Sequence, residues 1–199
     1  YVQAIDDQSG AVLYERTYSE QGAALFGHIS TDETGIYLTG SPYTRIDYDY
    51  SLAVKIDADT GDVIWSNQSS HGQWNNSSRA GIVIGNQLLA VGRRADGDDK
   101  ENNRIVSYNA STGVLNWDYS WGDANAQGIY DITTYQGKIY VVTVDGVAWG
   151  ASGNERCDVY EITLGETGDI AGIRLAWSID TPQSDFGSRF LASDSGLYL

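Results

Sequence analysis

Apolar and polar residues alternate in short runs along nearly the whole chain, and the runs recur. Residues 52–65 read LAVKIDADTGDVIW, residues 104–117 RIVSYNASTGVLNW and residues 1–14 YVQAIDDQSGAVLY. Each copy is an apolar alternation ending in Ile or Tyr, an Asp/Asn-rich turn closed by Gly, and a second alternation ending in an aromatic residue. A stretched fourth copy runs from Val159 through Glu166-Thr167-Gly168 to Trp177. The turn glycines Gly10, Gly61, Gly113 and Gly168 stand 51, 52 and 55 residues apart. A second motif lies between the copies: GIYLTG at 35–40, QLLAVG at 87–92, KIYVVT at 138–143 and GLYL at 196–199. It follows the aromatic end points by 22 residues (Tyr14 to Ile36), 23 (Trp65 to Leu88), 22 (Trp117 to Ile139) and 20 (Trp177 to Leu197). Two independent landmarks keep one period.

Period-2 alternation between Gly/Asp/Asn/Ser turns predicts β-strands, and no stretch holds a capped 3.6-residue period. Four antiparallel strands in about 50 residues make a propeller blade, so the chain is predicted to be all-β, about four blades' worth of a β-propeller. Labelled from the axis outward, strand A is expected near 23–31, 79–85, 127–134 and 186–193, and B at 36–40, 88–92, 138–144 and 196–199. C is expected near 2–6, 52–57, 104–109 and 157–162, and D near 11–18, 62–67, 114–120 and 173–178. The domain is 1–199, in pieces 1–20, 21–70, 71–122, 123–180 and 181–199. It opens on C–D and closes on A–B, complementary halves of a blade. Part of a larger propeller is the expectation, with closure as a four-bladed ring the alternative. A part would leave a strand edge open for self-association or for further blades.

The charge balance narrows the partners: 27 acidic against 12 basic residues give −15. Such a surface repels nucleic acid and anionic lipid, which need Lys/Arg to neutralise phosphate. No apolar run approaches the roughly 20 residues of a membrane span. The lone Cys157 says little about compartment, and the absence of Met is read as a chain cut from something longer.

The run 54–65, VKIDADTGDVIW, preceded by DETGIYLTG at 32–40, resembles the bacterial β-propeller repeats of the SBBP and PQQ-like (quinoprotein-like) type. The resemblance covers essentially the whole chain. It implies the propeller fold and a secreted or surface-anchored protein, periplasmic as a variant. For activity it implies little, since such repeats serve in dehydrogenases, assembly scaffolds and surface proteins alike. PQQ dehydrogenases of this type spread cofactor ligands and a stacking Trp over a full ring, often with adjacent cysteines, and this chain has no cysteine pair.

Candidate chemistry concentrates in the B–C and D–A connections, which are long where the A–B and C–D turns are short, and function favours long loops on a rigid scaffold. The B–C loops carry Tyr43, Arg45, Tyr48 and Tyr50, then Arg93 and Arg94, then Trp149 and Arg156. The D–A loops carry His71, Trp74 and Trp121. Aromatic platforms beside Arg and Asp suit a glycan or a peptide. Tyr14, Trp65, Trp117 and Trp177, one per repeat, are read instead as blade-to-blade packing. The acidic stretch with Asp96, Asp98, Asp99 and Glu101 is a weak calcium candidate, and no other cofactor is expected. The 57–68 turn departs from an EF-type loop at positions five and twelve, where Gly61 and Gln68 stand. The triplets at Asn67, Asn75, Asn76 and Asn109 matter only in a glycosylating host. His28 falls in an inner strand as a structural histidine, and no nucleophile elbow or zinc spacing occurs. The chain therefore reads as a non-enzymatic binding or scaffold propeller. The alternative is part of a quinoprotein-like oxidoreductase or a hydrolase.

Overall fold

A computed structural model describes residues 2–18, 23–43, 50–69, 74–95, 101–122, 126–145, 156–180 and 189–199. Its strands are β1 (Val2–Ile5), β2 (Val12–Arg16), β3 (Ala23–Asp32), β4 (Gly35–Tyr43), β5 (Ser51–Ile56), β6 (Val63–Ser69), β7 (Trp74–Ile84) and β8 (Gln87–Ala95). They continue with β9 (Glu101–Asn109), β10 (Leu115–Trp121), β11 (Ala126–Tyr135), β12 (Lys138–Asp145), β13 (Arg156–Leu164), β14 (Ile170–Asp180), β15 (Leu191–Ser193) and β16 (Gly196–Tyr198). Three antiparallel sheets run β3-β4-β5-β6, β7-β8-β9-β10 and β11-β12-β13-β14, each in A-B-C-D order. The pairs β1-β2 and β15-β16 remain separate two-stranded sheets, the arrangement of a partial propeller. The first strands of successive sheets touch one another, β3 to β7, β7 to β11 and β11 to β15, and so form the inner wall.

Four apolar clusters occupy the four interfaces between these five pieces. Leu38, Leu52, Val54 and Ile56 face Val2 and Tyr18. Tyr37, Ala53 and Trp65 meet Leu88, Ala90, Val106 and Tyr108. Leu89, Val91 and Ile105 meet Ile129, Ile132 and Val141, and Val142, Val144 and Val159 meet Phe190 and Leu197. Because neighbouring sheets cover both faces, all six residues of β5 are buried, Lys55 among them. The ammonium of Lys55 donates to Thr34 Oγ1 at 2.7 Å and lies 5.0 Å over the Tyr37 ring, which offsets its desolvation.

The repeated turn explains the repeated aromatic. In the first three C–D turns an Asx side chain accepts from the chain ahead: Asp6 Oδ1 from the amide of Ser9 (2.7 Å), Asp57 Oδ1 from the amides of Asp59 (3.0 Å) and Thr60 (2.9 Å), Asn109 Oδ1 from those of Ser111 (3.0 Å) and Thr112 (2.9 Å). The closing residue takes φ near +72° at Gly61 and Gly113, where a side chain is strained. These glycines also lie under the aromatic ring of the preceding sheet. A Cβ on Gly61 would sit 2.6 Å from Tyr14, and one on Gly113 2.7 Å from Trp65. Trp117 reaches the equivalent turn through Nε1, which donates to the Gly168 carbonyl at 3.0 Å. Turn and ring repeat together because each packs on the other.

Two expectations need correction. Trp177 does not occupy the shared position. Tyr14, Trp65 and Trp117 pair with Ala4, Lys55 and Ser107, whereas the equivalent residue of the third sheet, Glu161, pairs with Arg174. Trp177 pairs with Val159, two rungs farther along a lengthened hairpin, and is 37% exposed against Tyr140. Second, Trp74, Arg93, Arg94, Trp121 and Arg156 are strand residues rather than loop residues, since β7 to β10 and β13 extend past their apolar cores. Ladder hydrogen bonds join backbones and continue through polar positions.

Hydrogen bonds from the Ser9 side chain to Asp6, and from the Thr60 amide to Asp57, hold both carboxyls below their ordinary value of 3.8. The unfolded chain then binds protons at a higher pH than the folded one. The stability from these turns is full above about pH 5 and is lost as pH falls through and below the unfolded value. Melting temperature should fall between about pH 5 and 3. In Asp57→Asn the slope should be shallower, because Asn109 already shows that an amide oxygen can hold this turn without titrating.

Candidate ligand-binding site

The B–C and D–A connections leave one end of the sheets. Arg45, Tyr48, His71, Trp149, Asp96, Asp98 and Asp99 lie outside the described residues. Tyr43 ends β4, Trp74 opens β7 and Glu101 opens β9, with side chains likewise outside the description. Among the described residues no group of three or more His, Cys, Asp or Glu gathers in a way that could hold a metal. Tyr50 stands exposed beside β5 on the first sheet. On the third sheet, Arg156 is committed to its own strand: Nη2 lies 2.7 Å from Asp158 Oδ2, and the fully buried Asp158 also accepts from Ser178 Oγ at 2.5 Å.

The second sheet does bring candidates together. Arg93, Asn103 and Trp121 are register partners across β8, β9 and β10, so their side chains share one face, above Val91 and Ile105. That face turns to the third sheet. Trp121 meets Tyr160 edge-on, with centroids 6.1 Å apart at 79°, and Tyr119 at 6.2 Å. Gly128 of β11 (φ +94°) comes so close that a Cβ there would stand 2.5 Å from Arg93 Cβ. Beside the row, Arg94 Nη1 donates to Ser120 Oγ at 3.4 Å. The donor Trp121 Nε1 and the acceptor Asn103 Oδ1 are shielded and have no hydrogen-bond partner among the described residues.

Comparison of the repeats sets this row apart. Its equivalents are Ser51 and Ser69 in the first sheet, and Val144, Cys157 and Ile179 in the third. The interface residues two rungs away stay apolar in the C strands of all three, Ala53, Ile105 and Val159, whereas the row changes from small to large and polar to aliphatic. Leaving a buried donor and acceptor unpaired costs about 1–3 kcal/mol each. A molecule presenting both an acceptor and a donor, such as an amide or a hydroxyl pair, would recover that cost.

One rung inward lies Arg104, absent from the sequence-based candidates. It is 1% exposed, and its Nε and Nη2 hold Asp118 at 3.0 and 2.6 Å, while Nη2 also donates to Ser69 Oγ of the first sheet at 2.9 Å. A charge at the head of an otherwise apolar strand was the signal that could have found it. Nearby, burial pushes the Tyr108 hydroxyl up to about 12, so it stays neutral.

A family model described as outer membrane protein assembly factor BamB, of PQQ-like type, matches residues 49–189, well over half of the chain. The chain belongs to this family. Among solved structures, this PQQ-like propeller is similar to the quinohemoprotein alcohol dehydrogenase from Comamonas testosteroni, at 14% identity and TM-score 0.57, over 86% of this chain and 31% of that one. An α-L-arabinofuranosidase from Clostridium thermocellum aligns at 10% identity and TM-score 0.48, over 77% of this chain and 52% of that one. A europium-containing methanol dehydrogenase aligns at 16% and 0.45, over 77% and 25%. At such identities the first likeness is one of fold, and the chain spans about a third of that dehydrogenase's length. No curated protein matches the chain.

Proposed function

We propose that the chain is a non-enzymatic propeller module that binds a glycan or a peptide on the face carrying the B–C and D–A connections, in an extracytoplasmic setting. The observation that carries this reading is the row Arg93, Asn103 and Trp121, where a large aromatic, a cation and an unpaired donor and acceptor replace the packing residues of the other repeats. The family's assembly-factor description accords with a protein that holds other chains. Aromatic area supplies affinity at low entropic cost, and the polar pair fixes orientation.

The quinoprotein alternative requires a site for a planar tricyclic quinone, and the described tryptophans do not fit one. Trp65 and Trp117 pack between sheets with their indole N–H groups on backbone carbonyls, Trp121 packs on Tyr160, and Trp177 on Tyr140. The described cysteine is single and buried.

A glycan array and a panel of extended peptides test the proposal. A ligand found there should bind Trp121→Phe about tenfold more weakly, since that variant keeps an aromatic ring but deletes the indole N–H and part of the ring area. Absence of any ligand, or equal affinity of the wild type and Trp121→Phe, would count against it.

A further inference from the structure

The inner strands carry a second row that breaks the repeat. The hairpin pairs Asp32 with Gly35, Ile84 with Gln87, Tyr135 with Lys138 and Ser193 with Gly196 are equivalent. Four residues before the first member of each pair stand His28, Ala80, Asp131 and Arg189. Three of these four equivalent positions on the inner wall are therefore titratable or charged, and they converge. Arg189 reaches back from the fourth inner strand to the first, its Nη2 donating to the Gly27 carbonyl at 3.3 Å, while its Nη1 lies 4.0 Å from Asp131 Oδ1. The Phe190 amide donates to Asp131 Oδ2 at 2.7 Å.

The row ends in unmet acceptors. The Asp131 side chain is 6% exposed, yet its Oδ1 has no hydrogen-bond partner among the described residues, and neither has the shielded Nδ1 of His28. The imidazole bonds the Gly81 backbone, and burial drives it toward the neutral form. The neighbouring aromatic face is covered, with the Arg79 guanidinium 3.9 Å over the Tyr130 ring.

We propose that His28, Asp131 and Arg189 form an axial site for a small neutral polyol of monosaccharide size. One ligand hydroxyl donates to Asp131 Oδ1 and another to His28 Nδ1, while a ligand oxygen accepts from Arg189. The balance of groups selects this class. Asp131 and Arg189 cancel in charge, so the site offers no net attraction to an ion. A carboxylate or phosphate would meet two acceptors and a like charge, and a metal ion would find two ligands beside a guanidinium. Adjacent hydroxyls supply donors and acceptors together. The site is separate from the outer-face row and stands without that reading.

Titration of the purified chain with single monosaccharides (glucose, galactose, arabinose, mannose), followed by NMR of the imidazole resonances, tests the proposal. At least one sugar should move the His28 signals saturably. Its affinity, read by isothermal titration calorimetry so that the variants share one measurement, should drop about tenfold or more in His28→Ala and in Asp131→Asn, and stay unchanged in Trp121→Phe. His28→Ala leaves the Asp131–Phe190 bond in place, and an unchanged melting temperature of the variant separates a lost ligand contact from a folding defect. No saturable shift with any sugar, an unchanged affinity in both variants, or a His28 response to phosphate or zinc instead of sugars would overturn it.

Discussion

Trp65→Ala is expected to lower the unfolding free energy by about 3–5 kcal/mol, the range for removing a large aromatic from a packed core. The indole is 9% exposed and sits between the first two complete sheets, 6.1 Å from the Tyr37 ring and 6.5 Å from that of Tyr108. Its Nε1 donates to the Ala110 carbonyl at 3.0 Å, an acceptor that keeps Tyr37 and Lys55 as donors after truncation. The loss is therefore one of packing more than of an orphaned carbonyl. Trp177→Ala should cost clearly less, because that ring is 37% exposed. The two variants, compared by denaturant unfolding, would contradict this account if they lost the same stability. Gly113 gives a reciprocal check. Gly113→Ala should cost about 1–2 kcal/mol for the left-handed backbone plus about 1–3 for crowding Trp65. Combined with Trp65→Ala, its crowding part should vanish, leaving a double mutant more stable than the sum of the singles implies.

The sequence revealed what local chemistry controls. An Asx–Gly turn and the apolar alternation beside it are short-range, so their spacing exposed the hairpins, the order of strands and the half-blades at either end. The ends of strands were not legible in the same way, because Arg93, Arg94, Trp121 and Arg156 continue ladders through polar side chains that composition assigns to loops. Trp177 was misplaced for a related reason. A bulge between Leu175 and Trp177 copies the one between Val63 and Trp65, so the local motif is intact while the register beneath it has moved. The candidate site depends on pairs distant in sequence: Asn103 beside both Arg93 and Trp121, and His28, Asp131 and Arg189 at one level of the inner wall. Aligning the repeats by their hairpin turns would have exposed those rows as the places where the copies disagree. That disagreement separates residues serving the repeat from residues serving one blade.

Asp118→Ser should destabilise the protein by about 3–5 kcal/mol, because it leaves the Arg104 guanidinium buried without its carboxylate. Arg104 would keep Ser69 Oγ as an acceptor but lose both bonds to Asp118, and its Nη1 already has no partner among the described residues. The repeat itself supplies the rescue. At the positions equivalent to Arg104 and Asp118 the first sheet has Leu52 and Ser66. Leu52 is 4% exposed within an apolar cluster, so this rung of the ladder folds without any charge. The double variant Arg104→Leu/Asp118→Ser should therefore recover most of the stability that Asp118→Ser loses, consistent with buried ion pairs being near-neutral against apolar replacements yet costly to break. If the double variant is as unstable as the single one, the pair is required by the packing of the first sheet on the second, through the reach of Arg104 to Ser69. If it recovers, the packing tolerates an apolar rung there, and ligand affinity at Trp121 should stay unchanged, because Arg104 and Asp118 lie on the opposite face of β9 and β10 from Asn103 and Trp121. Denaturation of the three proteins separates a charge pair that the packing of the two sheets requires from one that it merely tolerates.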